Sequence, residues 1–347
     1  MTRGADSASG DTPAGGEARG PARTALPTPG PLEAARKWTG QHAWVWAVLA
    51  AIALWLSAGL ISGSVSLRLL AVNASLATFL GLAGVAQMTV IASGDGSFDL
   101  SLPYVITFSA VISAGVAAST PTGELISLLV APLTGIGIGC VTGLLTVWLR
   151  MPAMIASLAV GYAVYTGVLV LGSQQSSTAS ATLGAFIKRQ VGGFSVLLAC
   201  GIAVAVAVAI ALTRTNYGRR LHAMGQNRTA AYLSGIRVRR MVLYNFALSG
   251  LLAGIVGTLL AAYNDGAFQN MGNTYLLASV AAVVIGGVPV TGGRSSVPAA
   301  MVGALVMTLL ITILEMSPMG AGYRYILEGL CMILIVVVAQ VARRRNR

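Results

Sequence analysis

From Trp44 onward the chain alternates long stretches free of charge with short connectors that collect arginine. A helix needs about 20 apolar residues to cross the hydrocarbon core of a bilayer. About ten stretches approach that length: 44–62, 69–91, 102–119, 125–149, 154–171, 194–212, 241–263, 275–290, 297–314 and 325–342. The pattern predicts an all-α, polytopic helical membrane protein with about ten transmembrane helices. Two stretches, 275–290 and 297–314, are short and interrupted by Gly and Pro, so one of them reads as a half-crossing or re-entrant piece. Gly139 with Gly143, and Gly250 with Gly254, have the spacing that lets helix backbones approach closely. The run Gly135, Gly137, Gly139 has the outline of a dinucleotide fingerprint, but no strand precedes it and it lies mid-span, so helix packing accounts for it.

Composition sharpens this picture. Of the 347 residues 56% are hydrophobic and 9% charged, with a mean hydropathy of +0.79, against about 25% charged residues in a soluble globule. A soluble domain is excluded, and the net charge of +12 must be read by its placement. With ten crossings, Arg36, Lys37, Arg150, the loop 214–240, Arg294, Arg343–Arg345 and Arg347 share one face. Only Arg68, Lys188, Arg189 and Arg324 fall on the other. Basic residues concentrate on the cytoplasmic side of membrane proteins, so both termini are expected to be cytoplasmic. The partner implied by the charge is the lipid bilayer, with no nucleic acid.

Residues 1–42, rich in Gly, Ala, Pro, Ser and Thr, read as a disordered cytoplasmic tail; the first apolar run starts too late for a secretory signal. Residues 43–342 form the expected transmembrane domain and 343–347 a basic cytoplasmic tail. Cys140, Cys200 and Cys331 sit singly in apolar stretches and read as small buried hydrophobes. With His42 and His222 the only histidines, no metal site is predicted.

The connector 214–240 holds seven arginines and no acid. Within it, residues 227–235 read as a short helix capped by Asn227 and stopped by Gly235. Small Ala230 and Ala231 would give it a low-relief surface suited to docking in a groove of another protein; a plain solvated loop is the alternative. Among the few ionisable residues near the spans, Asp95 and Asp99 flank a Gly-rich break. Asp99 is expected either to cap the following helix or to line a path. Asn73 and Gln87 either face that path or bond between helices. Arg324 and Glu328, four apart at a helix start, suggest an interfacial ion pair.

Four segments carry a family resemblance. GRRLHAMGQNRTAAYLSGI (218–236) resembles the cytoplasmic coupling region of permease subunits in the ribose/xylose/galactose class of ABC importers. YLLASVAAVVIGGVPVTGGRSSVPAAMVGA (275–304), SGDGSFDLSLPY (93–104) and RMPAMI (150–155) are similar to further blocks of that family. Together they cover roughly 66–341. Ser97, Pro103 and Gln226 depart from the family pattern, where Gly is usual or frequent. The resemblance implies a membrane permease that couples to ATPases through Gly218, Arg219, Gly225, Asn227, Ala230, Ala231 and Gly235. It also implies a translocation path near Asp99, Ser101, Asn73 and Gln87, and a structural glycine motif at Gly286, Gly287, Gly292 and Gly293. The implied partners are cytoplasmic ATPase subunits, an extracytoplasmic solute-binding protein, and a second permease copy, identical or paralogous. No cofactor is expected on this chain, which lacks a GxxxxGK[ST] loop; ATP and Mg would be used by the partner. The expected setting is the cell membrane, and the expected function is passage of a simple sugar or similar polar solute rather than catalysis. Alternatives are a secondary transporter or channel, or an ABC permease for a nucleoside, amino acid or signal molecule.

Overall fold

The computed structural model describes residues 44–119, 122–172 and 181–344. The tail expected at 1–42, Gln174 in an expected outer loop, and the basic end from Arg345 onward lie outside the described residues. In chain order the helices are α1 (Trp44–Ile61), α2 (Leu67–Ala92), α3 (Leu102–Ser119), α4 (Gly123–Trp148), α5 (Ala153–Gly172), α6 (Ala181–Lys188), α7 (Val196–Arg214), α8 (Asn216–Gln226), α9 (Arg228–Leu233), α10 (Val238–Tyr263), α11 (Tyr275–Ile285), α12 (Val297–Met316) and α13 (Ala321–Arg344). Strands β1 (Gln190–Val191) and β2 (Phe194–Ser195) pair antiparallel between α6 and α7.

A bilayer core offers no water to backbone N–H and C=O groups, so a chain this apolar satisfies them within helices. Among the described residues, seven helices are long and apolar enough to cross: α1, α2, α4, α5, α7, α10 and α12. The stretch 275–290 is not one helical span. Helix α11 stops after 11 residues, about 16 Å of rise, roughly half the hydrocarbon thickness. The stop is built into the glycine pair. Gly287 has φ 95°; its N–H donates to the Val284 carbonyl (3.0 Å) and the Val288 N–H to that of Val283 (3.1 Å). This paired-bond ending needs a left-handed residue, which glycine supplies without penalty.

Helix α10 is the centre of the bundle, packing most extensively against α4, then α3 and α2. Helices α2 and α10 are buried over most of their length, whereas α1, α4, α5 and α7 expose broad faces. The glycine spacing explains the α4–α10 contact. A methyl group on Gly135 would collide with the Gly250 carbonyl, and one on Gly139 with that of Phe246. The three cysteines are free but only partly buried; Cys140 and Cys200 lie on α4 and α7, helices whose broad faces look outward. Beyond the spans, Lys188 pairs with Asp265 at 2.6 Å. The expected Arg324–Glu328 pair does not form: the Arg324 Nε–H donates to the Met319 carbonyl at 2.9 Å.

Candidate functional site

The arginine-rich connector is two short helices, each fixed by its own sequence. Extended Thr215 starts α8, its Oγ1 accepting from the Tyr217 N–H at 3.2 Å. Helix α8 is amphipathic: Gly218, Leu221 and Met224 face inward, while Arg219 and Arg220 are exposed. Arg219 donates to Asn216 Oδ1 at 2.5 Å. Tyr217 donates from its hydroxyl to Asn245 Oδ1 at 2.7 Å, fastening α8 to α10; burial pushes the Tyr217 phenol up. Asn227 caps α9, Oδ1 accepting from the Ala230 N–H at 3.0 Å. Gly235, with φ 81°, ends it: the Gly235 N–H donates to the Tyr232 carbonyl and the Ile236 N–H to that of Ala231, both at 3.0 Å. A six-residue helix is marginal alone; two caps hold this one.

Ala230 is exposed, but Ala231 is 4% exposed and belongs to the apolar core, so Ala231 is not part of a docking surface. The inner side of α9 has to cover the bundle end, and the small residue is used there. What faces outward is Tyr232 (70% exposed) and Leu233 (78%).

The connector meets two other segments at a single junction. The Gly293 N–H donates to the Ala92 carbonyl at 3.1 Å. A methyl on Gly225 would collide with that same carbonyl oxygen and lie 2.5 Å from the Gly293 nitrogen. One on Gly292 would lie 2.5 Å from Gly94 Cα. The end of α2, the end of α8 and the turn before α12 therefore touch backbone to backbone. Two side-chain ties cross the same junction. Arg228 pairs with Asp95 at 2.7 Å, and His222 Nε2 lies 2.7 Å from Ser295 Oγ. Partial burial holds the His222 imidazole below its usual value, so at neutral pH the contact is between neutral groups. Asp95, at φ 55° between Gly94 and Gly96, forms the turn that presents its carboxylate. Both ties were invisible in the sequence, because no spacing rule connects residues so far apart. Gly286 has a different role: a methyl there would collide with the Ala299 carbonyl, so it sets the α11–α12 crossing.

The four residues expected along a path lie in the packed interior, with Asp99 3% exposed and Ser101, Asn73 and Gln87 each 1%. Polar groups in such surroundings must find partners. Asp99 Oδ1 accepts from the Ser101 N–H (3.0 Å) and hydroxyl (2.5 Å), and Oδ2 from the Ser249 hydroxyl (2.7 Å). Asp99 thus starts α3 and ties it to α10. With its amide oriented to satisfy both groups, Gln87 donates to the Asp99 carbonyl (3.1 Å) and accepts from its N–H (3.2 Å). Asn73 Oδ1 accepts from Thr312 at 2.6 Å, joining α2 to α12. Asp99→Ala is expected to lower stability by about 1–3 kcal/mol, because it strands several buried donors. Thermal unfolding in detergent checks this: Asp99→Asn, which keeps one acceptor, should unfold between wild type and Asp99→Ala.

A family model described as branched-chain amino acid transport system/permease component matches residues 70–336. The ribose import permease protein of Escherichia coli (strain K12) is 30% identical over 257 residues, covering 72% of this chain and 79% of that protein. The xylose transport system permease protein of the same strain is 38% identical over 134 residues, 39% of this chain and 34% of that protein. The autoinducer 2 import system permease protein of Yersinia enterocolitica is 27% identical over 240 residues, 67% and 65% of the two chains. The match thus spans about a third of the xylose protein and just under two thirds of the autoinducer 2 protein. No solved structure matches the chain.

Proposed function

The chain belongs to the branched-chain amino acid transport system/permease component family, and from that premise we propose that it is the permease subunit of an ABC importer for a simple sugar or similar polar solute. It is a multi-pass protein of the cell membrane. The similarity to a ribose import permease over most of both chains supports a sugar-type solute. The observation that carries the coupling role is the junction. Because the connector touches α2 and the turn before α12 through backbone and through the Arg228–Asp95 pair, a push on the connector is delivered to helices rather than absorbed by a slack loop.

In this reading both termini are cytoplasmic and the chain crosses ten times. One crossing, 275–296, is made partly by α11 and partly by non-helical turns, which a membrane tolerates where protein surrounds them. Two ATPase subunits bind ATP and Mg and grip the connector, while an extracytoplasmic protein delivers solute to a pair of permease chains. Asp99, Ser101, Asn73 and Gln87 shape the path indirectly, by fixing how α2, α3, α10 and α12 pack. A signal-molecule solute is the second reading, favoured by the autoinducer 2 relative.

Two measurements test this. In a background with Cys140, Cys200 and Cys331 replaced, Ser234→Cys should label only from the cytoplasmic side and Gln190→Cys only from outside; the reverse pattern would remove the coupling role. In vesicles with ATPase and binding protein, labelled pentose uptake should require ATP. Uptake that persists without ATP would point to secondary transport instead, and displacement of pentose by autoinducer 2 at lower concentration would favour the second reading.

A further inference from the structure

We propose that the cleft at the α4–α5 turn is a binding site for the phosphate of an anionic phospholipid. The cleft has a volume of about 490 Å³ and is lined by Arg150 from the turn, Arg228 from α9, Arg239 and Asn245 from α10, and Asp95 from the turn after α2. Three arginines thus line it against one aspartate. Asp95 pairs with Arg228, while Arg150 and Arg239 have no ion pair among the described residues. Guanidinium forks match the oxygen geometry of phosphate and bind it in pairs of parallel hydrogen bonds.

The surroundings of the cleft favour a lipid over a free anion. The chain neighbours of the lining residues are apolar and exposed: Trp148 is 79% exposed, Leu149 56% and Ile155 55%, and further exposed positions follow on α5 at Leu158 and Tyr162. Tryptophan concentrates at the headgroup level, and basic pockets at the cytoplasmic ends of spans suit anionic headgroups. A phosphate seated among the arginines would lay its acyl chains along those residues; a free ion makes no use of them. The turn is also specialised, since Arg150 has φ 55°, a left-handed conformation that costs a non-glycine residue about 1–2 kcal/mol. Lipid phosphate would compete with Asp95 for Arg228, so occupancy would bear on the junction.

This inference goes beyond the transport reading, and its test needs no transport. The delipidated full chain is titrated in detergent with phosphatidylglycerol, phosphatidylcholine or inorganic phosphate, and bound species are counted by native mass spectrometry. The wild type should prefer phosphatidylglycerol over phosphatidylcholine by about tenfold, the scale of charge-assisted hydrogen bonds. Arg150→Gln with Arg239→Gln should abolish that preference, whereas Arg219→Gln with Arg220→Gln, on the exposed side of α8, should keep it. Unchanged thermal unfolding would show that each variant is folded. Equal binding of the two lipids overturns the proposal, as does a preference that survives the first pair or is lost with the second. Binding of inorganic phosphate without preference for phosphatidylglycerol removes the lipid as the ligand.

Discussion

Alanine at Gly225 is expected to cut ATP-driven uptake by about tenfold or more while leaving the chain inserted in the membrane. Propensity alone predicts the opposite direction, because Gly225 lies in α8 and alanine favours helices over glycine by about 1 kcal/mol. The contacts reverse the sign. The new methyl group would meet the Ala92 carbonyl oxygen and the Gly293 nitrogen, two backbone atoms that cannot rotate aside. Relief requires the end of α8 to move away, which strains the Gly293–Ala92 hydrogen bond and draws Arg228 from Asp95. Overpacking of this kind costs about 1–3 kcal/mol, and here it falls on the contact proposed to transmit motion. Gly137 is the control: a methyl there meets nothing within 4 Å, so Gly137→Ala should transport as wild type. Uptake assays on vesicles of matched permease content separate the two, and wild-type uptake by Gly225→Ala would detach the junction from coupling.

What the sequence made legible was what repeats or what is local. Charge-free stretches located the helices, since bilayer thickness imposes a length. The cap at Asn227 and the stop at Gly235 were readable because both act within a few residues. The glycine spacing marked α4 and α10 as helices open to close approach, but that they meet each other came only with the packing. The failures have equally specific causes. A helix of six residues has too few turns to show a periodic face, so nothing in the chain indicated that Ala231 turns inward while Tyr232 turns out. The C-terminal end of α11 depends on Gly287 adopting a positive φ, which a Gly-rich stretch permits at several positions. Asn73 with Thr312, and Asp99 with Ser249, pair across 239 and 150 residues. In an apolar interior each polar side chain needs a partner, but the partner's identity is set by helix packing.

Truncating Tyr232 and Leu233 together should weaken ATPase binding by about thirtyfold, corresponding to roughly 2 kcal/mol. These two side chains are largely exposed at the end of a doubly capped helix outside the spans. The caps fix the backbone in advance, so docking orders the side chains alone, and tyrosine is among the residues that dominate interface energetics. The caps use Asn227 Oδ1 and main-chain groups only, so Tyr232→Ala with Leu233→Ala should leave α9 folded. Ala231→Glu gives the contrasting result. Its carboxylate would enter the core, where burial of an unpaired charge is costly, so it should lower the unfolding temperature as well as weaken association. Affinity measured with purified ATPase, alongside thermal unfolding of each variant, distinguishes loss of a contact from loss of the fold. Wild-type affinity in the double variant would leave the end of α9 a solvated turn and move the docking surface elsewhere on the connector.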